Sequence, residues 1–422
     1  MNAVSDLQVR NSVDHLFRHH AGQMVSVLCR IFGFERIDLI EDAVQDALVS
    51  ALRKWPFTGI PDNQSAWLTQ TAKNRLIDRL RHDGRLQAVD DEAGIAATGE
   101  TPVYFDAEIS EDQLRMIFAC CHPSIPPVSQ AALTLKIVGG FSVAEIASAF
   151  LANDAAVAKM LTRAKKRLRD GNVELDIPVS GEITARLDRV LKVLYLMFNE
   201  GYSASGGNEL IRRDLCFEAI RLVELLSRHP LTACPKVHAA AALFLFQAAR
   251  LPARTGDTGE LILLADQDRA SWDKALIGRG LEHMQRSASG NELTSFHLEA
   301  EIAAVHTLSP SYGSTNWERI LECYTLLQNV SFSPVAELNR IIALSEVSGP
   351  EPALTALEHL AGDHDLQKYN MFHMARGHLF AELGQFAWAV MSFEKALSQT
   401  RNDPVRRFVQ NRLSECRRSR LS

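Results

Sequence analysis

The residues best suited to covalent or metal chemistry lie in one short stretch, "CCHP" at 120–123. A structural zinc site needs four ligands, and no second ligand pair follows at a suitable spacing. Buried thiols therefore explain Cys120 and Cys121 best, and a redox switch is the alternative. Gly139 and Gly140 precede a helix start but lack the lysine and serine of a phosphate-binding loop. With no convergent acid–base or metal constellation, we predict no enzymatic activity, no cofactor and no metal site.

Cationic side chains are concentrated in "AKMLTRAKKRLRD" (158–170), with six in a chain of formal net charge −6. Upstream, Ser142 and Glu145 have the spacing of a capping box, and Asn153 can cap the helix that follows. The apolar residues of that helix share one face: Val157, Leu161, Ala164 and Leu168. The cations on the other face are Lys159, Arg163, Lys166 and Arg167. This layout is typical of a helix-turn-helix whose cations contact DNA phosphates, and a solvated helix face is the alternative.

Nearer the N-terminus, an acidic helix precedes a second basic helix. "DLIEDAVQDALVSALRKW" has an apolar face and a polar face that carries Glu41, Asp42, Gln45 and Asp46. A turn-rich segment from Trp55 to Ser65 follows, and Ser65 can cap the next helix. That helix presents these residues to the surface: Trp67, Lys73, Asn74, Arg75, Asp78 and Arg79. The acidic helix suits docking on a partner protein, and the basic helix suits binding of DNA, including single strands.

Helical periodicity dominates the 422 residues, so we predict an all-α protein. The expected domains are 1–85, an acidic linker at 86–108, a helix-turn-helix domain at 109–175, and a C-terminal domain at 183–422. The segment "GHLFAELGQFAWAVMSFEKAL" (377–397) has the small and aromatic residues of a tetratricopeptide repeat at the right offsets. An irregular helical bundle is the alternative for this domain. Scattered cysteines and the lack of a membrane-spanning apolar run favour a cytoplasmic location without membrane contact.

Residues 10–85 and 109–170 resemble regions 2 and 4 of extracytoplasmic-function sigma factors of the sigma-70 family. "EDAVQDALVSALRKW" matches the polymerase-docking helix, "SAWLTQTAKNRLIDRLR" the promoter-melting helix, and the helix-turn-helix the reader of the −35 element. "EDQLRMIFACCHPSIPP" and the long extension resemble the group with a C-terminal tetratricopeptide-like (TPR-like) domain.

The resemblance implies that core RNA polymerase and promoter DNA are the partners, with contacts on the polymerase β′ clamp and β flap. Glu41, Asp42, Gln45 and Asp46 would dock on the β′ clamp. The Trp55–Ser65 loop would receive a flipped −10 base, and the surface residues of the basic helix would hold the separated strand. Asn153, Lys159, Arg163, Lys166 and Arg167 would bind the −35 element. The linker is either a nucleic-acid mimic or a solvated tether.

The C-terminal domain is expected to modulate activity, through a protein or peptide partner that a TPR-like concave surface could bind. Two other classes of function stay open on the sequence. One is a stand-alone helix-turn-helix regulator with a TPR-like sensor or dimerisation domain. The other is an interaction scaffold whose basic helices are merely solvated. An acidic docking helix and an aromatic-bearing melting helix favour the sigma factor, since a repressor needs neither.

Overall fold

The computed structural model describes residues 20–82, 106–150, 152–178, 181–256, 259–362 and 366–420. These residues form eighteen α-helices and short 3-10 turns, with no β-strand among them. The prediction of an all-α protein is confirmed. The chain divides between Leu194 and Tyr195 into two compact units. None of the described helices is long and apolar enough to cross a membrane.

The first helices of unit 1 are α1 (residues 20–32), α2 (Ile37–Thr58) and α3 (Gln64–His82). They bury the apolar faces that the sequence predicts, including Ile40, Ala43, Val44, Leu68, Ala72 and Leu76. The prediction of a loop from Trp55 is wrong, because α2 continues to Thr58 and Trp55 is 2% exposed. The prediction of a Ser65 cap is also wrong: the Asn63 side chain accepts a hydrogen bond from the Ala66 amide at 2.9 Å.

The second group of helices in unit 1 is α4 (Asp106–Cys120), α5 (Pro127–Ile137), α6 (Val143–Ala149) and α7 (Asp154–Asp170). The predicted capping box is confirmed, since Ser142 and Glu145 exchange both hydrogen bonds at the start of α6. Asn153 caps α7 by accepting from the Ala156 amide at 2.7 Å. Four residues separate α6 from α7, and α7 buries its four predicted apolar residues. The acidic linker predicted at 86–108 lies outside the described residues up to residue 105.

The two adjacent cysteines lie in the core of this second group. Cys120 and Cys121 are fully buried, and burial raises the pKa of Cys121 to about 12. The Cys121 thiol lies 3.8 Å from the Thr134 hydroxyl. Among the described residues, no cluster of His, Cys, Asp and Glu side chains is arranged to hold a metal ion. Protonated, inaccessible thiols are poor nucleophiles, so the structure supports the packing role for this pair.

α8 (Ile183–Tyr202) crosses from unit 1 into unit 2. Unit 2 continues with α9 (Arg213–Arg228), α10 (Pro235–Ala249), α11 (Lys274–Ser287), α12 (Ser295–Leu308) and α13 (Trp317–Val330). It ends with α14 (Pro334–Ser348), α15 (Pro350–His359), α16 (Asn370–Glu382), α17 (Phe386–Gln399) and α18 (Asp403–Ser419). From α12 onward, each helix packs on the next along the chain. This sequential packing makes unit 2 a helical array.

The repeat predicted at 377–397 is the helix pair α16–α17. A Cβ atom on Gly377 would lie 2.9 Å from the Phe393 ring, so the ring fills the space that the absent side chain leaves. Gly384 makes the turn between the helices with φ of 70°, a conformation that glycine adopts without strain. The small residues at these offsets therefore allow close helix packing, as the sequence predicts.

Candidate nucleic-acid interface

α7 presents its predicted cationic face to solvent. Lys159, Arg163, Lys166 and Arg167 are exposed, and none of them pairs with a carboxylate in the part of the chain that the structure describes. Val157 and Leu161 on the opposite face are buried against the rest of the domain. The N-terminal turn offers the short side chains of Asp154, Ala155 and Ala156. The helix can therefore contact phosphates along its length, but its first turn has little capacity for hydrogen bonds to bases.

α3 carries a second polar surface. Asn74, Arg75 and Asp78 are exposed, and Lys73 is half-buried. Trp67 is also half-buried, and its ring packs edge-on against Trp55 with the centroids 5.4 Å apart. The Trp67 ring therefore has a fixed position, with part of its surface available for stacking.

Arg79 joins the α3 surface to the acidic face of α2. Its Nη2 lies 2.6 Å from Asp46 Oδ2, and its Nη1 lies 3.4 Å from Asp42 Oδ2. Asp42 and Gln45 are exposed, whereas Asp46 is half-exposed. The structure thus brings a residue predicted to bind DNA into contact with two residues predicted to bind polymerase. Arg79 orders the acidic face in this state, and its guanidinium is already occupied.

Glu41, the fourth residue predicted to bind polymerase, is covered by the helix-turn-helix domain. Its side chain is 12% exposed and accepts a hydrogen bond from Lys165 of α7. Lys165 also binds Asp38 at 2.8 Å, and Arg169 binds Asp38 at 2.6 Å. Lys136 lies 3.9 Å from Glu41 Oε1. We call Asp38, Glu41, Lys165 and Arg169 the α2–α7 ion-pair cluster.

The charges of the α2–α7 ion-pair cluster shift its titration. Burial alone would raise the pKa of Asp38, but hydrogen bonds and attraction from Lys165 and Arg169 outweigh it, so the pKa is lowered. For Lys165, burial opposes a rise, but attraction and hydrogen bonds from Glu41 and Asp38 raise its pKa. Both groups are therefore charged at neutral pH, and the cluster is held by attraction between full charges.

We did not predict from the sequence that Asp38, Lys165 and Arg169 form an ion-pair cluster. One signal was available: Lys165 and Arg169 are four residues apart, so they form a cationic stripe between the apolar face of α7 and its solvent face. The sequence cannot show what that stripe contacts, because its carboxylate partners are 124 to 131 residues away.

One module is a helix-turn-helix whose outer cationic face has no carboxylate partner among the described residues, and a second helical module has its own polar face. Both are features of a DNA-binding protein of two modules. Comparison with known families agrees. Residues 16–86 match the model of sigma-70 region 2, and residues 115–168 match that of sigma-70 region 4. Residues 186–288 match a family of unknown function, DUF6596.

Two relatives extend the comparison. An uncharacterised protein of Rhizobium meliloti is 36% identical over 385 residues, which are 90% of this chain and 90% of that protein. The ECF RNA polymerase sigma factor SigE of Mycolicibacterium smegmatis is 25% identical over 174 residues, which are 40% of this chain and 65% of that protein. No solved structure matches the chain.

The chain belongs to the sigma-70 family, as a factor of the extracytoplasmic-function type with a C-terminal extension. Its two sigma modules imply that it binds core RNA polymerase and promoter DNA. Neither module belongs to an enzyme family.

Proposed function

We propose that this protein directs core RNA polymerase to a small set of promoters, and that its C-terminal unit modulates this activity. The cationic face of α7 carries the proposal. Its four exposed cations have no carboxylate partner in the described residues, while the opposite face is buried, so one surface is left for DNA. Each cation that neutralises a phosphate releases a condensed counterion and adds affinity that does not depend on base sequence. At the −35 element, base preference would then come from DNA shape and from apolar contacts with thymine methyl groups.

Polymerase docking is assigned to the acidic face of α2. Asp42 and Gln45 are exposed and can form charge-assisted hydrogen bonds with a basic, polar surface such as the β′ clamp. Glu41 and Asp46 would join them by exchanging Lys165 and Arg79 for cations of the polymerase. Contact of the helix-turn-helix domain with the β flap would accompany this exchange. Docking on this proposal therefore requires opening of the α2–α7 ion-pair cluster.

Strand separation at the −10 element is assigned to α3. Trp67 provides a ring for base stacking, and Lys73 and Arg75 provide charges for phosphates of the melted strand. Asn74 and Asp78 supply hydrogen-bonding groups on the same exposed surface. Arg79 would join them once Asp42 and Asp46 bind polymerase. The turn between α2 and α3, residues 59–63, is short and exposed, and would take the flipped base.

Transcription in vitro tests the proposal, with purified core polymerase, a genomic promoter pool and this protein. We expect start sites that depend on the protein and that are lost in the double variant Asp42→Ala, Gln45→Ala. Glu282→Ala removes an exposed carboxylate of α11 and is the matched control, which should retain initiation. Absence of initiation together with tight duplex binding by the protein alone would contradict the proposal and favour a stand-alone regulator.

A further inference from the structure

Two arginines of unit 2, Arg250 and Arg269, lie next to Trp272, and a third, Arg254, lies near Arg250. Arg250 and Arg254 are each 8% exposed, and Arg269 is half-buried. The guanidinium carbons of Arg250 and Arg269 lie 5.7 Å and 4.6 Å from the centre of the Trp272 ring. Arg254 stacks on Tyr202 at 3.6 Å. Buried arginines in proteins are normally paired with carboxylates, so their partners decide how this cluster is stabilised.

None of these arginines forms an ion pair with a carboxylate among the residues that the structure describes. Two of them, Arg254 and Arg269, instead meet the carbonyl end of a helix. Arg254 donates to the Tyr202 carbonyl at the end of α8. Arg269 donates to the carbonyls of His306 and Ser309 at the end of α12, at 2.6 Å and 2.8 Å. Arg250 is the C-cap residue of α10, and its guanidinium donates to the Gln247 side-chain oxygen at 3.4 Å.

Helix ends cannot balance the charge of this cluster. A helix C-terminus carries about half a negative charge, so the two helix ends that accept from these arginines leave roughly two positive charges without compensation among the described residues. Repulsion between these charges also acts on the pKa values of the arginines. Burial lowers the pKa of Arg254 and of Arg269, and the charge of Arg250 lowers both further.

Neighbouring carboxylates are used elsewhere. Asp268 and Asp273 accept hydrogen bonds from backbone amides at the starts of the following helical turns. Glu299 on α12 accepts a hydrogen bond from the Tyr195 hydroxyl at 2.6 Å. Among the described residues, the cluster thus forms no ion pair with an acidic side chain, although acidic residues are close in sequence.

Several buried nitrogen atoms around Trp272 also lack a hydrogen-bond partner in the described structure: Arg250 Nε, Arg269 Nη2, Trp272 Nε1 and His306 Nδ1. An unpaired buried donor destabilises a fold by about 1–3 kcal/mol, more when it is charged. Burial, followed by the charges of Arg250 and Arg269, lowers the pKa of His306 to about 3, so its ring is neutral and adds no further charge. Donors and uncompensated charge therefore coincide at one place.

We propose that Arg250, Arg269, Trp272 and His306 form a binding site for an oxyanion, the phosphate or carboxylate group of a small molecule. Guanidinium groups bind such anions through two parallel hydrogen bonds, and the indole N–H adds a donor of a second kind. The anion enters past Arg269, which is half-buried. Arg254 contributes charge from the adjoining helix end. This assignment concerns unit 2 and does not depend on the proposed role of the sigma modules.

Binding by the full-length protein tests the site, with inorganic phosphate and succinate as probes at ionic strength matched with sodium chloride. We expect saturable binding in calorimetry, a rise in the melting temperature, and a change in tryptophan fluorescence. Saturation by phosphate alone identifies a phosphate site, and saturation by succinate alone a carboxylate site.

The variant Arg269→Gln should weaken that binding by about tenfold or more, because it removes a charged donor. Arg376→Gln is the matched control: Arg376 also lies over a ring, that of Phe380 at 5.2 Å, but it pairs with Glu358 at 2.7 Å. It should leave binding unchanged, while Trp272→Phe should abolish the fluorescence change. If neither probe saturates, or if Arg269→Gln binds as well as the native protein, the arginines only cap helix ends and the proposal is overturned.

Discussion

At the scale of single residues, Glu299 has the environment of a carboxyl group that titrates near neutral pH. Burial raises its pKa to about 7, although the hydrogen bond from Tyr195 lowers it. In an unfolded chain the pKa of a glutamic acid is about 4.3. The folded protein therefore binds one proton more than the unfolded chain between these two values, and stability falls as pH rises through this range.

We expect Glu299→Gln to remove this pH dependence. Because of this group, the free energy of unfolding of the native protein should fall by roughly 2–3 kcal/mol between pH 4.5 and pH 7.5. Urea unfolding of the native protein and the variant at both pH values measures this change in the free energy of unfolding. Glu282→Gln on α11 is the control and should follow the native protein. If the free energy of unfolding differs between the native protein and Glu299→Gln by the same amount at both pH values, Glu299 does not titrate near neutral pH.

Lys165 and Lys166 are sequence neighbours with different surroundings. Lys165 binds Asp38 and Glu41, whereas Lys166 is exposed and contacts no carboxylate in the described residues. If the acidic face of α2 docks on polymerase, Lys165 competes with that partner and Lys166 does not.

Lys165→Ala should therefore tighten binding to core polymerase in the absence of DNA by about two- to fivefold, the value of a partly exposed ion pair. Lys166→Ala should leave that affinity unchanged and weaken duplex binding instead. Fluorescence anisotropy of labelled protein measures both affinities. Weaker polymerase binding by Lys165→Ala would show that the ion-pair cluster supports docking and does not oppose it.

At the scale of elements, the proposed DNA contact of α7 would behave as a polyelectrolyte contact. Its exposed cations each release one counterion on binding, so affinity should fall with rising salt. Replacing Arg163 with alanine should weaken duplex binding about equally for all sequences and reduce the slope of log K against log salt by about one. A salt titration with promoter and random duplexes measures this. Loss of affinity for one sequence only would instead identify Arg163 as a base-reading residue.

Helix packing in unit 2 depends on glycine where a ring needs space. Gly377→Ala places a methyl group 2.9 Å from the Phe393 ring and should destabilise unit 2 by about 1–3 kcal/mol. Gly278 lies within α11 with no atom within 4 Å of an added Cβ. Gly278→Ala should therefore stabilise the protein, by up to about 1 kcal/mol. Thermal unfolding of both variants measures the contrast, and a loss of stability in both would exclude the packing explanation.

Local signals predicted most of what is local in this fold. The helix faces, the capping box at Ser142, the Asn153 cap and the cationic face of α7 follow from spacing within one or two turns. The start of α3 was predicted less well, because Asn63 and Ser65 are both good capping residues and only packing selects between them. The α2–α7 ion-pair cluster and the arginine cluster of unit 2 could not be predicted, since both join elements that are distant in sequence.

At the scale of the whole molecule, the two compact units should unfold separately. We expect two transitions in differential scanning calorimetry. Leu76→Ala leaves a cavity where the Leu76 side chain of α3 is buried, and it should lower the melting temperature of one transition by several degrees. Gly377→Ala should lower only the other. A single transition that both variants shift equally would mean that the units unfold as one cooperative block.

α7 has a cationic stripe, Lys165 and Arg169, and a separate solvent-exposed cationic face. Together they require that α7 keep its present rotation about its own axis. Successive residues of a helix are turned by about 100°, so one inserted residue before Arg163 would rotate every later side chain by that angle. Lys165 and Arg169 would then leave Asp38, and the solvent-facing cations would turn away from their present direction at the same time. The register of α7 from Arg163 onward is thus constrained by its ion pairs with the acids of α2 and, on the proposed function, also by a DNA groove. Substitutions in α7 should therefore be tolerated better than insertions.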